Sequence, residues 1–428
     1  MDIELQKKYV DILSAELVPA LGCTEPIAIA YAAAKAREVL GEFPNKIYVD
    51  CSGNIIKNVK GVTVPNSQGL KGIDVAAVLG VVGGNANEQL EVLMNVTDED
   101  IEKTKQLIAS DFCECGLIEN VENLHIYVRA EGNSHTSEVT IKNHHTCITE
   151  IKKDGEVIFS QTPVIKKADK PLDLSILSVK DIIDFANSVD VELIKPILDR
   201  QIEYNTAISD EGLSKPYGAE IGRTLLEVYG NDIKIRAKAR AAAGSDARMS
   251  GCSLPVIINS GSGNQGMTLS LPVIEYAHEL GVSQEKLYRA LCVANLISIH
   301  QKKYIGSLSA FCGAVTAASG AGAAITYLHD GTYENICLTI INTIANVSGI
   351  MCDGAKPSCA AKIASAVDAA IMGHYMSMKN RRFLPGEGIV GDDVEKTIES
   401  MGYIGRIGMK STDTEILNIM ISKSKESC

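Results

Sequence analysis

Residues 350–377 read IMCDGAKPSCAAKIASAVDAAIMGHYMS. From Cys359 onward small apolar residues recur at the period of a helix, whereas the preceding residues carry Gly354 and Pro357, which make the chain turn. Two thiols, Cys352 and Cys359, thus sit seven residues apart on a turn that lets both sulfurs face one centre. A third, Cys312 in SAFCGAV, lies 40 residues upstream, with room for a helix pair between.

Outward from this stretch the helical period continues in VKDIIDFANS (179–188), VELIKPILDRQIEYNTAISDEG (191–212), AEIGRTLLEVYG (219–230), QEKLYRALCVANLISIHQKK (284–303) and ENICLTIINTIANVSGI (334–350). A surface helix is expected from Lys410 towards Cys428. The first part of the chain differs. Residues 3–18 and 26–41 read as helices, the second running from Pro26 to Gly41, and then the pattern alternates in KIYVDCS (46–52), LHIYVRAEG (124–132), SEVTIKN (137–143), HTCITEIKKDG (145–155) and EVIFSQ (156–161). The fold class is therefore α+β, with an N-terminal α+β domain over 1–165 and a larger, nearly all-α domain over 166–428. The boundary falls in the polar, proline-bracketed TPVIKKADKP (162–171).

With 46% apolar residues, only 5% aromatic and no Trp, the core must be built from Ala, Val, Ile and Leu packed closely around 36 glycines. A formal charge of -12 argues against a nucleic-acid partner, which needs a basic patch, and favours a small metabolite. Twelve cysteines behind a charged N-terminus without an apolar leader point to a reducing, cytoplasmic setting in which they are thiols or ligands. The uncharged run Ile305–Leu328 is long enough to cross a bilayer, but its Gly, Ala, Ser and Thr content suits close helix packing better.

Three thiolates in one helical region can hold an iron-sulfur cluster and leave one iron open, or they can be buried structural cysteines; zinc lacks a fourth ligand with CxxC or histidine spacing. Cys113 and Cys115, one residue apart, read as incidental. GSGNQG (261–266) matches a dinucleotide fingerprint only formally, because helices follow it where a second strand is required. Its exposed N–H groups, with Asn259, Ser260, Gly261, Ser262, Gly263 and Asn264, suit a carboxylate, or simply a turn between helices. Cys23, in LGCTEP, precedes a helix whose dipole lowers a thiol pKa, with Glu25 opposing that shift. The strings SGNIIKN (52–58), VPNSQGLKG (64–72) and GNSHTSE (132–138) read as solvated loops, and His135, His144 and His145 as ordinary histidines.

Six motifs in order, LGCTEPIAIA, CSGNIIKNVKGVTVPNS, GLKGI, NSGSGNQG, SAFCGA and CDGAKPSC, resemble the iron-sulfur L-cysteine desulfidase family, long carried as an uncharacterised protein family. The helical part is more distantly similar to the α-domain of iron-sulfur-dependent L-serine dehydratases. The resemblance implies one [4Fe-4S] cluster per chain on Cys312, Cys352 and Cys359, with Cys23 as the catalytic proton acceptor or a competing ligand. It also implies β-elimination of L-cysteine to hydrogen sulfide, pyruvate and ammonia by a carbon-sulfur lyase. L-serine dehydration and a non-catalytic redox sensor stand as alternatives. Pyridoxal phosphate is not expected, since only Lys356 lies within a motif. The expected partner is a small amino acid, with no nucleic acid and no membrane; a homodimer is compatible with the sequence.

Overall fold

The computed structural model describes residues 1–161, 172–306 and 309–425, so the expected domain boundary at 165/166 and the end of the tail at Cys428 lie outside the described residues. The chain opens with helix α1 (Ile3–Glu16), strand β1 (Pro19–Leu21) and helix α2 (Thr24–Leu40). Strand β2 (Lys46–Ser52) leads through α3 (Gly53–Val59), α4 (Ile73–Gly83) and α5 (Asp98–Ile108) to β3 (Cys113–Ile118). Strands β4 (His125–Glu131), β5 (Thr136–Lys142), β6 (Ile148–Lys153) and β7 (Glu156–Ser160) follow as a meander.

The sheet order is β3-β2-β4-β5-β6-β7, antiparallel except for the β2/β3 pair, where Ile47 stands opposite Cys113. Alternation puts Ile47, Val49, Ile126, Val128, Val139 and Ile141 on one face, and α2, alanine-rich and almost wholly buried, covers it. Helix α4 packs on α2 so closely that a Cβ on Gly80 would stand 2.3 Å from the Ala30 carbonyl oxygen. Only glycine permits that approach.

The second body contains α6 (Val179–Ser188), α7 (Val191–Ser214), α8 (Ile221–Tyr229), α9 (Ile233–Met249), the short strand β8 (Pro255–Ile257), α10 (Gly263–Leu280) and α11 (Gln284–Ile305). It continues with α12 (Gly313–Leu328), α13 (Tyr333–Val347), α14 (Cys359–Ser377), α15 (Val394–Tyr403) and α16 (Lys410–Lys425). The α+β reading therefore holds, with helices dominating the later part. Helix α12 is the centre of this bundle: from Ala314 on its alanines and glycines are buried among α10, α11, α13 and α14, and Gly320 lies against the Ala294 carbonyl. The uncharged run Ile305–Leu328 is thus divided, since α11 stops at Ile305, Gly306 takes φ +96°, and α12 begins at Gly313. Among the described residues no helix is long and apolar enough to cross a membrane.

Helix α1 packs in the helical core, with the Tyr9 and Phe185 rings 5.0 Å apart. Strand β1 then pairs antiparallel with β8, Pro19 opposite Ile257 and Leu21 opposite Pro255. That ribbon fixes LGCTEP beside the NSGSGNQG loop.

Two expectations need correction. SGNIIKN is not a solvated loop: after Ser52 it forms α3, with Ile55, Lys57 and Asn58 buried. Helix α2 begins at Thr24, two residues before Pro26, which makes Cys23 its N-cap residue.

Candidate functional site

The two cysteine segments meet through backbone bonds. Phe311 and Met351 form an antiparallel bridge, the Cys312 amide donates to Ile350 O (3.1 Å) and the Cys352 amide to Ala310 O (2.6 Å). Cys312 is the N-cap residue of α12 and Cys359 the first residue of α14, so each thiol stands at the positive end of a helix. The loop between Cys352 and Cys359 turns at Gly354, with φ +98°, where a Cβ would lie 2.1 Å from the Lys57 carbonyl oxygen. Asp353 pairs with both Lys356 and Lys362 and ties the loop to α14.

Cys312, Cys352 and Cys359 are half-buried free thiols that feel one another's charge. Burial pushes the Cys312 thiol up to about 12, Cys352 and Cys359 adding to the rise, and burial raises Cys359 as well. Lys302 of α11, nearly buried, faces Cys312 and Cys352, and burial lowers its ammonium to about 8. The buried Lys57 donates to Cys352 O (3.4 Å) and pairs with Asp413 of α16. Three thiols flanked by amines suit a thiolate-bound cluster, because each amine offsets a sulfur that must deprotonate to bind metal. Among the described residues no three His, Cys, Asp or Glu side chains stand close enough together to hold a single ion. A cubane asks less convergence, since each ligand takes a different iron.

Cys23 enters from the other body. Gly22 reaches it with φ +56°, packed where a Cβ would strike Pro65 at 2.2 Å. The thiol is 2% exposed and donates to Glu25 Oε2 (3.0 Å). Burial first, then the Glu25 charge, raises the Cys23 thiol well above its ordinary value, with Arg248 pulling the other way. The expected helix-dipole lowering is therefore outweighed. Glu25 itself is buried, which alone would raise its carboxyl, yet the neighbouring His145 and Cys23 hold it well below the usual carboxylate range. Asn58 Nδ2 donates to its other oxygen (3.0 Å), while His145 Nε2 stands 3.9 Å away, an electrostatic neighbour beyond hydrogen-bond reach.

In the third motif Ser260 and Gly261 take φ of +49° and +77°, and Asn259 and Ser262 exchange backbone bonds. Asn259 is buried with its amide engaged by Asn295 (3.1 Å), and Ser260 Oγ donates to Asn259 Oδ1 (2.9 Å). Ser262 is the N-cap residue of α10, Gly263 its first residue, and Asn264 Oδ1 accepts from Arg248 Nη1 (3.2 Å).

These motifs close a ring of helix N-termini. Thr24 Oγ1 of α2 donates to Gly261 O beside α10 (3.5 Å). Gln265 of α10 lies against Gly313 of α12, Cys312 faces Cys359 of α14, and Cys359 packs with Cys23, Val62 and Met249. None of these four helices has a side-chain N-cap, nor do α3, α4 and α8, whereas α1, α5, α6, α7, α9, α11, α13 and α15 each have one. Four uncapped positive ends around one place form an anion-stabilising centre. A surface groove of about 890 Å³ lined by Lys180, Asp184, Lys286 and Tyr327 lies elsewhere and touches none of these residues.

Sequence reasoning quoted Lys57 and Asn58 only within SGNIIKN, read His145 as an ordinary histidine, and did not single out Arg248 or Lys302. His145 carried no motif, and Arg248 lies in GSDARMSG, where nothing marks it until its burial is known.

Two outcomes follow at the rim. Gly354→Ala forces an unfavourable φ and a clash with the Lys57 carbonyl, so urea denaturation should show a loss of about 1–3 kcal/mol or more. Burial raises the Asp246 carboxyl from 3.8 to about 6, so the folded chain holds this proton more tightly than the unfolded one. That stability is present in full below pH 3.8 and lost as pH rises through 6. Asp246→Asn should therefore gain about 2–3 kcal/mol relative to wild type between pH 4 and pH 7, read by denaturation at each pH.

The family model described as the serine dehydratase alpha chain matches residues 87–418, which takes in the GSGNQG loop and the cysteine trio but not Cys23. A UPF0597 protein of Lachnoclostridium phytofermentans is 59% identical over 98% of this chain and 100% of its own length. UPF0597 proteins of Treponema denticola and Aeromonas hydrophila are 48% and 40% identical, over 98% and 97% of this chain and 99% and 96% of their own lengths.

Proposed function

The chain belongs to the serine dehydratase alpha-chain family, and from that premise we propose that it is a lyase eliminating the β-substituent of an α-amino acid, with L-cysteine as substrate. The products are hydrogen sulfide, pyruvate and ammonia. The observation that carries this reading is the ring of four uncapped helix starts holding Cys23, the GSGNQG loop and the cysteine trio together. Cys312, Cys352 and Cys359 would hold a [4Fe-4S] cluster, which supplies a Lewis-acidic iron for the leaving sulfur.

The chain's own residues work on the other end of the substrate. An α-proton of an amino acid is weakly acidic, so its removal needs a base in a site that stabilises the developing carbanion. Cys23 rests as a thiol donating to Glu25, which places its proton on a carboxylate path leading away from the substrate. Positive charge arriving with the substrate ammonium lowers the cost of the thiolate, and the thiolate accepts the α-proton. Asn58 and His145 hold Glu25 ionised at rest, so that a carboxylate is there to take the Cys23 proton, and Glu25 becomes a neutral carboxyl as the thiolate forms. The helix starts and the GSGNQG backbone receive the carboxylate. The released aminoacrylate tautomerises and hydrolyses in water.

The family description favours a second reading, L-serine dehydration in the same site, with hydroxyl leaving. Anaerobically reconstituted protein supplied with L-cysteine or L-serine separates the two. Sustained sulfide with matching pyruvate from cysteine supports the desulfidase, pyruvate from serine alone supports the dehydratase, and no product from either removes both in favour of a sensor.

A further inference from the structure

Arg248, in the last turn of α9, is 3% exposed. Its Nη1 donates to Asn264 Oδ1 (3.2 Å), but its Nε is sealed from solvent without a hydrogen-bond partner, and among the described residues no carboxylate forms an ion pair with it. Asp246 spends one oxygen on the Gly222 amide (3.0 Å) and does not answer Arg248. A guanidinium is never neutral in a protein, so this is a buried cation with a spare donor edge. Such a charge is costly to hold unless an anion arrives to meet it.

The surroundings say where the anion sits. Gly263 opens α10 so near the guanidinium that a Cβ there would lie 2.5 Å from Nε, and the N-cap residue Ser262 offers no side-chain cap. The free N–H groups of that first turn and the Arg248 fork therefore border the same place, and the Arg248 charge also reaches Cys23. A planar fork beside a helix start matches a carboxylate. We propose that Arg248, together with the uncapped start of α10, receives the α-carboxylate of the amino-acid substrate and so sets the requirement for a free carboxyl group. This rests on the β-elimination reading and adds to it the residue that recognises the substrate.

The test compares L-alanine, which has no leaving group, with L-alaninamide, which lacks the negative charge, by calorimetric titration of the anaerobically reconstituted holoenzyme. Wild type should bind L-alanine about 10–100-fold tighter. Arg248→Gln should erase that preference and raise KM for L-cysteine by a similar factor with the cluster absorbance intact, while Arg248→Lys, which keeps charge but loses the fork, should retain part of it. If both variants keep the wild-type preference, or if the loss falls on kcat with KM and the preference unchanged, Arg248 does not bind the carboxylate. A wild type that prefers L-alanine through Arg248 yet turns over no amino acid upholds this inference and removes the elimination reading. A wild type that turns over cysteine with an unchanged preference in the variants does the reverse. Should Arg248→Gln not fold, Gly263→Ala, which crowds Nε, must lower the same preference or the inference falls.

Discussion

Replacing Cys312, Cys352 or Cys359 by alanine should leave the anaerobically reconstituted protein without its brown chromophore and without turnover. Disturbing a mere partner of a metal ligand costs about 10–100-fold in affinity or activity, so deleting a ligand should cost more than ~100-fold. The competing view, that these are structural cysteines, makes the opposite forecast. The three are only half-buried, and removing a sulfur from such a position leaves little cavity, so unreconstituted variants should unfold within about 1 kcal/mol of wild type. Cys292, wholly buried in α11 within the helical core, is the control: Cys292→Ala should lower stability while iron and labile sulfide per chain stay unchanged. Full iron in all three of the first variants would end the ligand assignment.

What the sequence disclosed followed from how local each signal was. Helices α6 and α14 have the expected bounds, 179–188 and 359–377, because a cap or a proline turn starts each and apolar residues, large in α6 and mostly small with Ile363, Val367 and Ile371 among them in α14, recur at the helical period. Helix α5 carried a readable signal in its Thr97/Asp100 capping box that the strand pattern around it obscured. Helix α9 was silent for another reason. Its first half is charged and its second half small, so no stripe of large apolar residues betrays that Ala237 to Met249 is largely buried. The strands were legible by alternation, but not that β3 lies parallel to β2, since three intervening helices make that crossover and no residue announces it.

The site divides the same way. Thiols, glycines and prolines in motifs reveal chemistry one segment at a time. Partners do not, because the Glu25 contacts to Asn58 and His145 span 33 and 120 positions of chain, and Lys302 gains its meaning only from two sulfurs on other elements. The dipole at the start of α2 does not set the Cys23 thiol because helix position is a local property, whereas burial and a Glu25 carboxylate held by Asn58 of α3 come from the packing of separate segments.

Cys23→Ala should keep iron and labile sulfide at wild-type levels and lose turnover by about 10²–10⁴-fold, the contribution of a general base. The distinction from a ligand role is sharp, since a ligand's removal takes the metal with it. A separate readout isolates proton transfer from departure of the leaving group: wild type in deuterium oxide should exchange the α-proton of L-alanine, followed by proton NMR, and Cys23→Ala should not. Glu25→Gln keeps an oxygen acceptor but removes the charge that draws on the thiol. That change has two effects of opposite sign on Cys23. Losing the carboxylate eases the thiolate electrostatically, because the Glu25 charge is one cause of the raised thiol, yet it also removes the group that takes the proton. If proton acceptance dominates, exchange slows in Glu25→Gln by about 10-fold or more; if electrostatics dominates, exchange quickens and Glu25 restrains Cys23 until substrate charge arrives. Either result keeps Cys23 as the base, whereas undiminished exchange in Cys23→Ala would move that role to another residue of the ring.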